Sequence, residues 1–390
     1  MEFIKQTLTP DQSKKLLGNT AHPVWIYLYQ HPQHQWEFAI GTLAEPGSEK
    51  FSLGGFRIVP VERAETAGFS TATEAGSLAL GMEKKVYWSK LVEVAGPRGR
   101  RVLPRVVGGK CVLKPSRGYR VGESNDEEAL NFGITCLKDF EQSVKVHIVT
   151  GQDLGHGVLS NGDETSLEFL GRHFPGSILA DTSKPTGEGN YYALKGMLEG
   201  FGIDVKNARV GMMGCGHVGS QVLHKLREKG AKVKILESSE HKVQMFSRDG
   251  IKAYLPTHQE DFLREDFDAL VVNAVGGSLN GVTVERIVKN PAIKAICGSE
   301  NLALADPSLE LELRKAEKLF APTEWAGMMG YLTAVEERLC ALENEPFDIE
   351  VMLEEAHLLK ESAVRATSYC IEKNFSISFD QALKTLFHRE

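Results

Sequence analysis

Cysteine is scarce and scattered: the chain of 390 residues carries six, none in a CxxC pair and none grouped with histidines. That spacing speaks against a zinc ribbon or a disulfide framework and suits reduced thiols in a cytoplasmic protein, with no metal site expected. Positive charge is not in excess either. The formal net charge is −7, and the densest basic stretch, PRGRRVLPR at 97–105, is broken by turn residues. It reads as a solvated hairpin with its tip at PRGR, and nucleic-acid binding is excluded as a class. No apolar run approaches the about 20 residues of a membrane span. The start, MEFIKQTLTPDQ, lacks a cationic leader followed by an apolar core, so no secretory signal is expected. Internal repeats and low-complexity tracts are absent as well.

What remains is ordinary globular composition, 42% apolar and 25% charged, in a chain longer than one domain usually runs. Two domains are the expectation. The first part mixes strand-like runs (VWIYLYQ, WEFAIGTL, GFRIVPV) with helical patterns expected over 71–85 and 126–142, and a buried strand, VKVHIVTG, ends at Gly151. From about residue 190 the rhythm changes. A helix, NYYALKGMLEGFG, is followed by ARVGMMG, HVGSQVLHKLREKG, AKVKILE, DALVVNAVGG and AIKAICGS. Strand–helix alternation of this kind predicts a parallel doubly wound sheet. One last long amphipathic helix is expected over 348–373, ending at Asn374.

The strongest local motif is GMMGCGHVGSQ. Its glycines at 214, 216 and 219 follow an apolar strand and open a helix. Such glycines permit a tight turn, close approach of a pyrophosphate and close helix–strand packing, while the helix N-terminus supplies N–H groups and dipole. The cofactor-binding set read here is Gly214, Cys215, Gly216, His217, Val218 and Gly219. The following strand ends in Glu237, where a carboxylate accepts from ribose hydroxyls and repels a 2′-phosphate; NAD is therefore expected over NADP. The other reading is a glycine-rich turn kept for packing.

Lysine beside two glycines, in VVGGKCVL, is on its own most often a surface charge. Taken in order with SLGGFR at 52–57, GMEKK at 81–85, GQDLG at 151–155 and CGSEN at 297–301, it resembles the family of leucine, phenylalanine, valine and glutamate dehydrogenases, nearest the leucine and phenylalanine members. The resemblance runs from about residue 52 to 337. It implies an α/β protein of two domains: an N-terminal substrate and oligomerisation domain over 1–183, and a Rossmann-type NAD-binding domain over 184–344. The pattern of the 345–390 region does not choose a domain, and it is assigned to the first.

The resemblance further implies the chemistry. Lys110 is the catalytic lysine and Asp153 its aspartate, working in a cleft between domains. Lys85 holds the substrate carboxylate, Gly54 and Gly55 line the substrate, and Gly108 and Gly109 let it lie near the backbone. Ala274, Val275 and Asn301 lie at the cofactor. Asp153 exchanges protons with the amino group, hydride passes from Cα to the nicotinamide, and Lys110 is general base for the water that attacks the iminium. Burial and a nearby cation are the means by which such a lysine becomes a base. The products are a 2-oxo acid and ammonia, and a homo-oligomer is implied.

Two departures from the family stand out. The run LVEVAGPRGRRVLPR lengthens the connection between Lys85 and Lys110, leaving Lys84 or Lys90 as alternatives to Lys85. At 321–337, APTEWAGMMGYLTAVEE carries Gly327, Met328, Met329 and Gly330 in place of an asparagine-alanine-glycine-glycine run. By resemblance, Gly151, Tyr331 and Ala334 line the side-chain pocket: the glycine and alanine add room, whereas Tyr331 fills it or turns outward. A large neutral L-amino acid is the expected substrate, with Gly151→Ala penalising phenylalanine-sized substrates more than leucine-sized ones. A biosynthetic imine reductase or cyclodeaminase, and a non-catalytic NAD-binding sensor, are the alternatives.

Overall fold

The computed structural model describes residues 2–18, 20, 22–274 and 276–388. They divide into two compact units, one of residues 1–87, 97–180 and 331–348, the other of 88–96, 181–330 and 349–390. Both units are mixed α/β, and among the described residues no helix is long and apolar enough to cross a membrane. All six cysteines are buried and unbridged.

The first unit is organised by a seven-stranded sheet: β1 (Ile4–Leu8), β2 (Trp25–Gln30), β3 (Glu37–Thr42), β4 (Phe51–Leu53), β5 (Phe56–Ile58), β6 (Val106–Lys114) and β7 (His147–Val149). The order is β1-β2-β3-β6-β4-β7, with β5 also on β6. Along β1, β2, β3 and β6 each strand is antiparallel to the next, whereas β4 and β5 run parallel to β6. Strand β4 pairs with the first half of β6, up to Gly108, and β5 with the second half, from Cys111. The break at Gly54–Gly55 therefore faces Gly109 and Lys110.

Alternation along β6 puts Gly108 and Lys110 on one face of the sheet and Gly109 and Cys111 on the other. The Cys111 face joins the larger core, with Phe38, Phe56, Phe132 and Phe140. Helix Thr71–Val92 lies along the Lys110 face. A Cβ on Gly41 would stand 2.5 Å from the Ala75 carbonyl oxygen, and one on Gly108 2.4 Å from the Glu83 amide nitrogen. This helix runs well beyond the expected 71–85, because nothing in VYWSKLV interrupts it; helix Asp126–Val144 matches its expectation closely.

No hairpin forms at PRGR. Residues Gly99–Val102 make a short helix, followed by a 3-10 turn at Leu103–Arg105. The physical reason is Glu336, distant in sequence, whose carboxylate accepts from the backbone N–H of Arg98 and of Gly99 (2.8 Å) and so satisfies the orphan donors of the helix start. Arg98 and Arg101 also pair with Glu343, which neutralises the basic stretch locally.

The second unit holds a six-stranded, wholly parallel sheet of β8 (Arg209–Met213), β9 (Lys232–Leu236), β10 (Ala253–Tyr254), β11 (Ala269–Val272), β12 (Ala295–Gly298) and β13 (Leu319–Phe320). Its order is β10-β9-β8-β11-β12-β13. The chain winds outward from β8 to one edge, then from β11 to the other, so the topological switch lies between β8 and β11. The doubly wound expectation is met.

The C-terminal region requires a correction. The single helix expected over 348–373 is two, Ile349–Glu355 and Leu358–Glu372, parted at a turn where the His357 ring meets the Glu354 carbonyl. It packs within the second unit, not the first. Gly196 and Gly200 of helix Ser183–Gly200 have no side chain where Ala363 and Thr367 approach; a Cβ would be 2.5 and 2.6 Å from their Cβ atoms. Residues 331–348, assigned by sequence to the cofactor domain, belong instead to the first unit.

Candidate active site

Lys110 is no surface charge. It is 7% exposed and forms an ion pair with Asp153, which follows β7. The carboxylate also accepts two bonds from Arg57 of β5, Nε to Oδ2 and Nη2 to Oδ1, both 3.2 Å. Arg57 Nη1 donates to Glu74 Oε1 at 2.5 Å, and Glu74 takes Arg63 as well. Five side chains thus alternate in sign from Arg63 to Lys110. Burial alone would push the Asp153 carboxyl up, but Lys110 and Arg57 together hold it well below the usual carboxylate range. For Arg57, burial works against the charge and its two carboxylate partners override it, raising the pKa.

His156, three residues beyond Asp153, sits beside this network. Its Nε2 is 2.8 Å from the Phe56 carbonyl, which can only accept, so Nε2 carries the proton and Nδ1 accepts from Ser166 Oγ at 2.8 Å. Burial lowers its pKa, in keeping with a neutral ring. Neither Arg57's grip, nor Glu74, nor His156 was singled out from sequence. The arginine stood in the quoted SLGGFR, but nothing local pointed to a carboxylate 96 positions away.

The glycines around Lys110 have a different purpose from the one expected. The space beside Gly108 is taken by Ala79 and Glu83 of helix Thr71–Val92, and that beside Gly109 by Ser52 Oγ. Glu83 additionally accepts from the Gly108 N–H at 2.6 Å. A Cβ on Gly54 would stand 1.8 Å from the Gly109 carbonyl oxygen, and its N–H already donates to Val149. These three glycines let protein approach protein. Of these four glycines Gly55 alone faces the Lys110–Asp153 pair: its Cβ would lie 3.0 Å from Asp153 Cβ and 3.2 Å from Lys110 Nζ.

Lys85 is half-buried and Lys84 exposed on helix Thr71–Val92, with Lys90 half-buried in its last turn. Spacing of eleven residues, close to three full turns, puts Lys85 on the helical stripe of Glu74. Tyr331 and Ala334 lie one turn apart on helix Met329–Glu343, both buried. Tyr331 therefore does not turn outward; burial, then the charge of Glu83, pushes its hydroxyl well above its ordinary value.

Gly151 departs from expectation. A Cβ there would meet Ile178 Cγ1 at 2.7 Å and Cδ1 at 2.9 Å, so the glycine makes room for Ile178. Gly151→Ala is accordingly expected to cost about 1–3 kcal/mol of stability by overpacking and to lower kcat/KM alike on phenylalanine- and leucine-sized substrates. Thermal denaturation and the ratio of the two kcat/KM values check this. A selective loss on the larger substrate would return Gly151 to the pocket.

In the second unit the three glycines of the motif have distinct surroundings. Gly214 has φ +86° and packs against the backbone that leaves β11, where a Cβ would be 2.7 Å from the Asn273 carbonyl oxygen. Gly219 has the Gly214 carbonyl oxygen 2.6 Å from its Cβ position. Gly216 faces open space. A turn glycine, a helix-packing glycine and one that leaves the backbone bare are what a bound pyrophosphate needs. Helix His217–Glu228 starts at the exposed His217, with Val218 half-buried behind it.

Glu237 ends β9 with its carboxylate accepting from the N–H of Cys215 (2.9 Å) and of Ser239 (3.1 Å). Burial opposes its charge, and these N–H groups with nearby Lys242 outweigh it, so the carboxyl is held below its ordinary value. Across the sheet, buried Glu300 accepts from Ala274 N, Ser278 N and Ser278 Oγ, tying the turn after β11 to the turn after β12. Exposed Asn301 follows it, with its carbonyl oxygen 3.0 Å from a Cβ on Gly276. Val275 lies outside the described residues. Glu300 also escaped the sequence reading, although it stands in the quoted CGSEN.

Residues 176–255 match the model of the Glutamate/Leucine/Phenylalanine/Valine dehydrogenase family. The match covers the glycine-rich turn and Glu237. The chain is 26% identical over 283 residues to a phenylalanine dehydrogenase of Caldalkalibacillus thermarum, covering 70% of this chain and 67% of that one. It is 27% identical over 236 residues to a valine dehydrogenase of Streptomyces virginiae, 59% and 62% of the two chains. In fold it is similar to the crystal structure of L-tryptophan dehydrogenase from Nostoc punctiforme, with a TM-score of 0.65, 17% identity and 96% of each chain covered.

Proposed function

The chain belongs to the glutamate/leucine/phenylalanine/valine dehydrogenase family, and from that premise we propose that it catalyses the reversible, NAD-dependent oxidative deamination of a large neutral L-amino acid. The observation that carries the reading is the buried Lys110–Asp153 ion pair beside Gly55. A buried lysine paired with a carboxylate, with the backbone bare at its side, suits proton transfer at a substrate amino group and at the water that replaces it.

NAD would be held by the glycine turn at Gly214, Gly216 and Gly219 with Glu237, and would supply the acceptor for the hydride that leaves the substrate Cα. The residues of the chain do the rest. Asp153 takes a proton from the substrate ammonium, and Lys110, acting as the neutral amine after giving up its own proton, takes one from the water that adds to the iminium carbon. Lys85 pairs with the substrate carboxylate. Tyr331 and Ala334 enclose the side chain, and the buried tyrosine ring supports a neutral substrate over a charged one. The phenylalanine and valine relatives support the same class. The six buried, unbridged thiols support a cytoplasmic setting. A homo-oligomer assembled through the first unit, whose sheet ends in the antiparallel strand β1, belongs to the same proposal.

The test is NADH formation with each common L-amino acid at alkaline pH. Turnover on one or more large neutral amino acids, with ammonia released, supports the reading; NAD binding with no turnover on any of them overturns it. Cofactor choice is tested at Glu237. Because its carboxylate both braces the Cys215 N–H and stands where ribose hydroxyls are bound, Glu237→Ser is expected to raise KM for NAD about tenfold or more, the loss of a hydrogen bond to a charged group. The NAD/NADP ratio of kcat/KM should fall with it. Unchanged kinetics with both cofactors would reduce Glu237 to a strand end.

A further inference from the structure

Arg57 could have faced water. It pairs in register with Val112 on β6, two residues along from Lys110, and so shares the Lys110 face of the sheet. Instead its guanidinium is mostly buried, and three of its nitrogens are committed, two to Asp153 and one to Glu74. The two bonds to Asp153 take one oxygen each, the fork geometry that only a guanidinium offers a carboxylate. Oδ1 also accepts from the Leu154 N–H at 2.8 Å and Oδ2 pairs with Lys110, so the guanidinium adds a second bond to each oxygen, and the carboxylate cannot turn without breaking several. Glu74 does not touch Lys110 in this set of bonds. It holds the far side of the guanidinium and is itself held by Arg63.

We propose that Arg57 is a positioning residue for the reaction, clamping both oxygens of Asp153 so that the carboxylate is turned onto Lys110, with Glu74 fixing the clamp. The inference rests on the reading of Lys110 and Asp153 as the reacting pair. The charged and titratable groups around Asp153 are Lys110 from β6, Arg57 from β5, the neutral imidazole of His156 from its own segment, and, through Arg57, Glu74 from helix Thr71–Val92. Removing the guanidinium leaves the buried carboxylate with Lys110 at Oδ2 and the Leu154 N–H at Oδ1, less firmly oriented and easier to protonate.

The experiment labels the protein with carboxyl-13C aspartate and follows the Asp153 resonance, identified by its disappearance in Asp153→Asn, as pH is lowered. In the parent the resonance should stay at the ionised position into strong acid. In Arg57→Met it should titrate about 1–3 pH units higher, the size of effect an adjacent opposite charge exerts, with Arg57→Lys in between. An unchanged titration in Arg57→Met overturns the clamp. Should Arg57→Met fail to fold, judged by near-ultraviolet circular dichroism and NAD affinity, Glu74→Gln takes its place: a smaller upward shift is expected, and none overturns the proposal. The acid limb of the kcat–pH profile should move upward in step, which a purely structural role would not produce. A parent without amino acid turnover would sink the reaction itself while the titration still decides the clamp.

Discussion

Lys110→Ala is expected to lower turnover by about 10²–10⁴-fold, the worth of a positioned general base, with NAD affinity unchanged within a factor of two or so. The two effects separate because Lys110 belongs to the first unit and the glycine-rich turn to the second. The fold should survive. Without the ammonium, Asp153 keeps both Arg57 bonds and the Leu154 N–H at 2.8 Å, so no buried charge is stranded. Steady-state kinetics and NAD calorimetry on one preparation check both halves. Retention of more than half the parental rate would remove Lys110 from the mechanism.

Asp153→Asn should be the more damaging change, because it fails in two ways. Turnover is lost with the carboxylate, and the buried Lys110 side chain is left without its counter-charge. Breaking a buried pair from one side costs about 3–5 kcal/mol. Arg57 is less affected, since Glu74 still holds it. The loss has a pH signature. In the folded chain the Asp153 carboxyl is held below its ordinary value, so its contribution is fully present above the unfolded value, near pH 4, and fades as pH falls through the lower folded one. Urea midpoints should differ strongly between parent and variant at pH 7 and converge below about pH 4. A constant gap at both pH values would mean that the ion pair contributes nothing to stability.

The cofactor half of the molecule was legible because its determinants are local. Strand, glycine turn, helix and acid follow one another within GMMGCGHVGSQ and AKVKILE, and periodicity alone orders them. The Lys110–Asp153 pairing was legible only as an ordered set of motifs, since β6 brings Lys110 beside the end of β7 through pairings that no single stretch reveals. What failed was long-range. PRGR looked like a hairpin because the carboxylate that starts its helix, Glu336, lies 238 positions on from Arg98. Gly108 and Gly109 advertised free space correctly, but sequence cannot say whether a substrate fills it or, as here, a helix and a serine side chain. Gly151 misled for the same reason, with Ile178 as the occupant. The C-terminal helix carried an amphipathic face without an address; its partner is a row of glycines on helix Ser183–Gly200 that reads locally as poor helix former.

The central claim is that Lys110 and Asp153 run the interconversion of an amino acid with its 2-oxo acid and ammonia. The most direct measurement is NADH consumption with the 2-oxo acid of the amino acid on which the parent turns over, with and without ammonium, by the parent and by Lys110→Ala side by side. The account predicts consumption in the parent only when ammonium is present, yielding the amino acid, and consumption lowered by about 10²-fold or more in the variant. Equal rates in parent and variant, or NADH consumption independent of ammonium, would contradict it.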